Sequence, residues 1–298
     1  MNGLQQWVAF AQTARRRSFA AAARDLGSSP STLAKSVARL EATLGLKLFH
    51  RTTRQVNLTP DGERLFRRCE RMLAEVDDLH AEAAGARAAP AGTLRIDLPI
   101  TYGRRVLLPL LARLMHEHPG LHLDLRLQDS YADLVRDGLD LAVRVGRLSD
   151  STLVARRFDW QQLVLVASPA YLAQHGTPRR IEELAAHAAI VFRLPSSGRH
   201  RPWQLRENRR GIELQPAART LVNDGDGMAV AAVQGLGLAQ LPEYMVSDAL
   251  TAGQLVELLP GCRPAAMPIS AVMPSARLVP PRVKLVLDAL ETLRQRSR

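Results

Sequence analysis

Four residues, His116, Glu117, His118 and His122, have the side-chain types of a metal site. Their spacing does not support one. They fall where a helical stretch runs out before Pro119-Gly120, and successive helical side chains point in different directions. A zinc-binding helix of the H-E-x-x-H kind sets its histidines one turn apart. Gly235-Leu236-Gly237 lacks the third glycine of a dinucleotide loop and does not open a helix after a strand. No phosphate-cradling loop and no G-x-S-x-G elbow occurs. The sequence therefore predicts no catalytic residue, no metal and no cofactor, and argues against an enzyme.

A second group is polar and basic. Ser29 and Pro30 introduce Ser31, Thr32, Lys35, Ser36 and Arg39, which lie off the apolar face of a helix start. A helix in the major groove presents such N-terminal side chains to base edges. Lys35 can donate to guanine O6 or N7, and the hydroxyls can donate, accept or touch a thymine methyl. Arg39, one turn on, suits a phosphate. Arg51, Thr52 and Arg54 follow in a polar tip suited to phosphates or a narrow minor groove. Any one of these could be a solvated surface charge; the set points to double-stranded DNA. The chain carries a formal net charge of +11, and its first 59 residues hold nine basic side chains against Asp25 and Glu41 alone. A concentrated positive field is what counterion release from a phosphate backbone rewards. The global basicity says less, because all but Lys35, Lys47 and Lys284 is arginine, as a genome's codon bias would produce.

The elements that position these groups are legible. Leu4, Trp7, Val8, Ala9 and Phe10 predict an amphipathic helix ending near Arg15–Arg17. Ser18 caps a short helix from Phe19 to Leu26, closed by Gly27. Ser29, with Pro30 in the first helical position, opens another, burying Leu33, Val37, Leu40 and Leu44 and stopping at Gly45. Two helices joined by so short a turn form a helix-turn-helix. Residues 46–58 read as a hairpin, or wing, with a basic tip. Thr59-Pro60-Asp61 starts a long helix, in which Leu65, Cys69, Met72, Val76, Leu79 and Ala83 form a seam of about three heptads. That stripe predicts dimerisation; the other reading is a helix packed on its own domain.

Small residues at 84–92 mark the main boundary. Beyond it strands at 93–98, 121–127, 139–145, 163–168, 190–192, 238–241 and 269–273 alternate with helices at 102–118, at Tyr131–Asp137 and at 281–294. This order predicts parallel sheets flanked by helices. The domains expected are 1–60, a winged helix-turn-helix; 61–92, a linker helix and hinge; and 93–298, an α/β sensor. With 298 residues, 46% of them apolar, the chain can build several cores. No secretory or membrane-spanning segment is visible, and two distant cysteines, Cys69 and Cys262, predict reduced thiols. The cytoplasm is the expected location.

Residues 18–62 resemble the LysR-type transcriptional regulators, with Arg39-Leu40-Glu41, Leu44-Gly45, Leu48-Phe49 and Arg51-Thr52 in register. The resemblance continues through Ala167-Ser168-Pro169-Ala170-Tyr171-Leu172 and Val222-Asn223-Asp224-Gly225. Ala34 departs from the family, which often has serine there. The resemblance implies a periplasmic-binding-protein-like effector domain of two α/β subdomains, about 93–162 with 267–298, and about 163–266. It also implies a homodimer through the linker helix, often assembled into a homotetramer, and RNA polymerase as a further partner. A crevice between α/β subdomains, at strand C-termini and helix N-termini, is the default ligand site. The effector contacts expected there are Ile100, Thr101, Arg144, Val145, Gly146, Arg193, Asn223, Asp224 and Leu241. Thr101, read as a helix cap, and Arg144 together suggest a small organic anion. Asp224 opposes one and is read instead as a cap. A transport-type solute-binding protein would share the two lobes but not residues 1–60, and an architectural DNA protein would leave the sensor unexplained.

Overall fold

A computed structural model describes residues 3–51, 56–83, 90–129, 132–146, 148, 153–194, 197–274 and 279–296. It divides the chain into two compact units, Met1–Thr93 and Leu94–Arg298. Thr52, Arg54 and Tyr131 lie outside the described residues, as do the side chains of Arg51 and Ala83.

The first unit contains α1 (Gly3–Arg16), α2 (Phe19–Asp25), α3 (Pro30–Leu44), the antiparallel hairpin β1 (Phe49–Arg51) and β2 (Val56–Leu58), and α4 (Pro60–Ala83). Its core centres on the fully buried Phe10. That ring meets Trp7, Phe49 and Phe66 edge-on, with centroids 6.2, 5.5 and 6.3 Å away, so one aromatic cluster ties α1 to the hairpin and to α4. The Ser18 hydroxyl accepts from the Ala21 amide (3.3 Å), and Gly45 ends α3 in the left-handed conformation. Thr59 joins hairpin to α4: its hydroxyl donates to the Lys47 carbonyl (2.6 Å) and accepts from the Gly62 amide (2.9 Å).

The second unit opens with β3 (Gly92–Leu98), α5 (Ile100–Tyr102), a π-helical turn (Gly103–Leu107), α6 (Leu108–Glu117), β4 (Leu121–Leu127), α7 (Leu134–Asp137), β5 (Leu141–Val145) and β6 (Val154–Gln161). There follow β7 (Leu163–Ala167), α8 (Pro169–His175), β8 (Ala189–Phe192), β9 (Trp203–Glu207), β10 (Arg210–Leu214) and β11 (Ala218–Val222). The chain ends with α9 (Gly225–Val233), β12 (Leu238–Pro242), α10 (Glu243–Thr251), β13 (Val256–Leu258), β14 (Met267–Met273) and α11 (Pro281–Arg296). One five-stranded sheet runs β4-β3-β5-β14-β6, the other β11-β8-β12-β7-β13. The first recruits β14 from more than a hundred residues beyond β6; the second is drawn from one continuous stretch.

The sheets are mixed, not parallel as the strand–helix alternation predicts. β3 pairs parallel with β5 and β8 with β12, but β14 runs antiparallel to both β5 and β6, and β7 antiparallel to β12. The reason lies in the crossings. Only Gln162 separates β6 from β7, and β14 brings the chain back, so neither strand belongs to a βαβ unit that would fix its direction. β6 itself escapes the sequence reading because it is an edge strand, with Ala155, Arg156 and Arg157 open to solvent, and so lacks an apolar run.

Candidate DNA interface and effector cleft

Ser29 caps α3, its hydroxyl accepting from the Thr32 amide at 3.1 Å, and it also lies 2.8 Å from the Thr32 hydroxyl and 3.0 Å from that of Ser31. Ser29, Pro30, Ser31, Thr32, Lys35 and Arg39 are exposed and Ser36 is half-buried, whereas Leu33, Val37 and Leu40 face the core. The polar set thus occupies one open side of the helix, beginning at its positive dipole end. Its far end is anchored by Glu41, which is buried. The Glu41 carboxylate accepts from the amides of Leu48 (2.8 Å) and Phe49 (3.3 Å) and pairs with Lys47 (3.4 Å). This residue fixes the hairpin to α3. The sequence displays Glu41 only as a landmark of the resemblance; a lone acid among nine bases is the signal that finds it.

The heptad seam divides. Leu65 and Met72 pack against the core of their own unit, and Cys69 is buried within it, its thiol donating to the Trp7 carbonyl at 3.4 Å. Burial pushes that thiol up to about 12, with Arg15 lowering and Glu70 raising it. The expectation that Cys69 lies in a subunit contact is corrected: α1 already covers it. Leu79, by contrast, is 59% exposed, and Val76 is half-buried.

Several expected effector contacts also shift. Arg144 is buried, and its guanidinium donates to Asp97 at 2.5 Å, so this charge sits inside the first subdomain and does not face a ligand. Opposite charges with so little water around them pair with each other first. Leu241 is a core residue of the second sheet. Thr101 does not cap its helix; Pro99 precedes that helix, and the Thr101 hydroxyl is buried close to Gly225. Val145 is half-buried, and the Gly146 amide donates to the Pro268 carbonyl (2.8 Å). Arg193 and Asn223 are exposed at strand ends, and Asp224 caps α9 through the Gly227 amide (2.7 Å).

The cleft is built from other residues. Tyr102 and Tyr244, two of the four tyrosines, meet edge-on at 5.1 Å where the subdomains join. The Tyr102 hydroxyl donates to Asp159 (2.5 Å) and that of Tyr244 to Gln161 (3.0 Å). Burial pushes both phenols up, with Asp159 the main further cause for Tyr102 and Asp129 for Tyr244. Asp129 accepts from the Ile100 amide at 3.1 Å, so a carboxylate already sits at this helix start. Arg104 and Arg105 reach across to Asp226 at 2.8 and 3.0 Å. Neither Asp129 nor Tyr244 is suggested by local pattern, because their meeting depends on how two distant segments fold together.

The geometry defines a winged helix-turn-helix regulator with a two-lobed sensor. Comparison with known proteins agrees. The profile described as "Bacterial regulatory helix-turn-helix protein, lysR family" matches residues 4–63, and "LysR substrate binding domain" matches residues 87–294. The transcriptional activator AaeR of Escherichia coli (strain K12) is 32% identical over 290 residues, covering 97% of this chain and 93% of that one. The regulator DmlR of the same organism is 35% identical over 254 residues, covering 84% and 81%. The solved structure of CrgA, a LysR-type regulator from Neisseria meningitidis, is 32% identical, covers 98% of this chain and 99% of its own, and superposes with a TM-score of 0.63. The Vibrio cholerae virulence activator AphB gives 26%, 97%, 98% and 0.60. The chain belongs to the LysR family of bacterial transcription regulators, with a DNA-binding domain and an effector-binding domain. Among the described residues no helix is long and apolar enough to cross a membrane.

Proposed function

We propose that α3 lies in the major groove of double-stranded DNA and reads bases through Ser31, Thr32, Lys35 and Ser36, with Arg39 on a phosphate. The wing residues Arg51, Thr52 and Arg54 complete the contact on the flanking backbone. The observation that carries this reading is the capped, solvent-open start of α3, whose opposite face is wholly buried. Lys35→Ala is expected to cost about 1–3 kcal/mol at one position of the operator and to relax specificity there. A gel-shift titration on DNA from the gene's own promoter region checks this, and unchanged affinity would remove α3 from the groove.

Two copies are delivered to dyad-related half-sites by pairing of the α4 helices beyond the portion that packs on its own domain. Val76 and Leu79 support this, since an exposed leucine on a long helix lacks an apolar neighbour in the single chain. Leu79→Arg is expected to shift the protein toward monomer at micromolar concentration, read by sedimentation velocity; an unchanged dimer places the seam elsewhere. Pairs of dimers form the homotetramer. The regulator acts in the cytoplasm by binding, without catalysis or cofactor, and passes its signal to RNA polymerase. A small-molecule effector binds between the two subdomains near Thr101, Gly146, Arg193 and Asn223, and its unequal affinity for two arrangements of the lobes shifts how the paired sensors present DNA.

A further inference from the structure

With Arg144 withdrawn into the first subdomain, the cleft needs another cation if its effector is an anion, and the structure offers one. Arg201 follows the loop after β8, and its amide donates to the Phe192 carbonyl at 2.8 Å. Its guanidinium lies over the Phe192 ring, 4.8 Å from the centroid, which holds the planar fork in place. No ion pair or side-chain hydrogen bond engages it among the described residues. The side chain is exposed, yet protein surrounds it. Desolvation draws its pKa down, while Asp129 of the first subdomain and Tyr244 of the second draw it up. A group open to water but hemmed in by both lobes stands in the mouth of a cleft.

The other cleft cations differ. Arg104 and Arg105 are committed to Asp226. Asp129, which holds the Ile100 amide, puts a negative charge where a second anionic group of a ligand would otherwise settle. We propose that Arg201 binds the carboxylate of the effector and that Asp129 accepts from a hydroxyl or ammonium group on the same molecule. The ligand class is a small carboxylate bearing a hydrogen-bond donor, and plain dicarboxylates are disfavoured. This inference rests on the reading that the effector occupies the cleft.

The test uses the full chain and matched straight-chain acids of three to six carbons: 2-hydroxy acids, 2-amino acids, the corresponding dicarboxylates, and the amides of the hydroxy and amino acids. Binding is measured by calorimetry, with circular dichroism confirming that each variant is folded. At least one hydroxy or amino acid is expected to bind the wild type, and its amide to fail. Arg201→Gln is expected to weaken that acid roughly tenfold to a hundredfold, and Asp129→Asn to narrow its advantage over the plain dicarboxylate. Whether the hydroxy or the amino series binds decides between the two donors. A panel without a binder, or one led by plain dicarboxylates, overturns the ligand class. An acid held equally by wild type and Arg201→Gln, but weakened by Thr101→Val or Asp129→Asn, overturns the role of Arg201 and leaves the cleft standing. An acid indifferent to all three substitutions binds outside the cleft and overturns both readings.

Discussion

Replacement of Glu41 by alanine is expected to lower the unfolding midpoint of the DNA-binding unit by about 10 °C or more and to abolish operator binding. The carboxylate is 4% exposed and serves the amides of Leu48 and Phe49. Its removal leaves those buried donors without their acceptor, at about 1–3 kcal/mol each. In a unit of this size each kcal/mol moves the midpoint by about 4–8 °C. Lys47 adds little, since its ammonium is in water. The pH dependence has a definite sign. Burial pushes the Glu41 carboxyl up, but the two amides and Lys47 pull it further down, so it lies below the ordinary value of 4.5. A carboxyl depressed on folding stabilises fully above its unfolded value and ceases to do so as pH falls through the folded one. The gap between wild type and Glu41→Ala in calorimetric melts is therefore widest near neutrality and closes below about pH 4.5. A gap that widened on acidification would contradict the assignment.

Gly237→Ala is expected to disrupt the effector domain while sparing DNA binding by the first unit. Gly237 has φ +147, and a Cβ there would stand 2.3 Å from the Ala188 carbonyl oxygen and 2.8 Å from its carbon. That carbonyl accepts from the Leu238 amide at 2.8 Å, beside the pairing of β12 with β8 in the middle of the second sheet. Backbone cannot yield as a side-chain tip can, so the cost is about 3 kcal/mol or more. Gly253→Ala supplies the control. It shares a left-handed φ (+68) but meets nothing within 4 Å, so only about 1–2 kcal/mol of local strain is expected. Equal melting of the two variants would show that conformation, not the close approach to Ala188, governs position 237.

The DNA-binding half was readable because its information is local. Caps at Ser18 and Ser29, the stop at Gly45 and the spacing of Leu33, Val37 and Leu40 each sit within a turn or two of what they control. The effector half was readable in its strands and much less in its site. Arg144 ends a strand as a ligand-binding arginine would, yet Asp97 on neighbouring β3 claims it, and no sequence period reports that pairing. Arg201 and Asp129 are 72 positions apart and lie in loops, where no periodicity exists to be read. Cys69 satisfied a heptad rule that cannot distinguish a partner helix from α1 of the same chain.

The order of strands in the two sheets also bears on synthesis. A chain emerging N-terminus first has every strand of the second sheet in hand by Leu258, while β5 and β6 of the first still have a gap between them. Only when β14 appears can that gap close, and only then can α11 cover the face formed with α6 and β6. The lobe begun first is thus the last to be completed, and nascent chains halted short of residue 267 hold one finished lobe beside an open one.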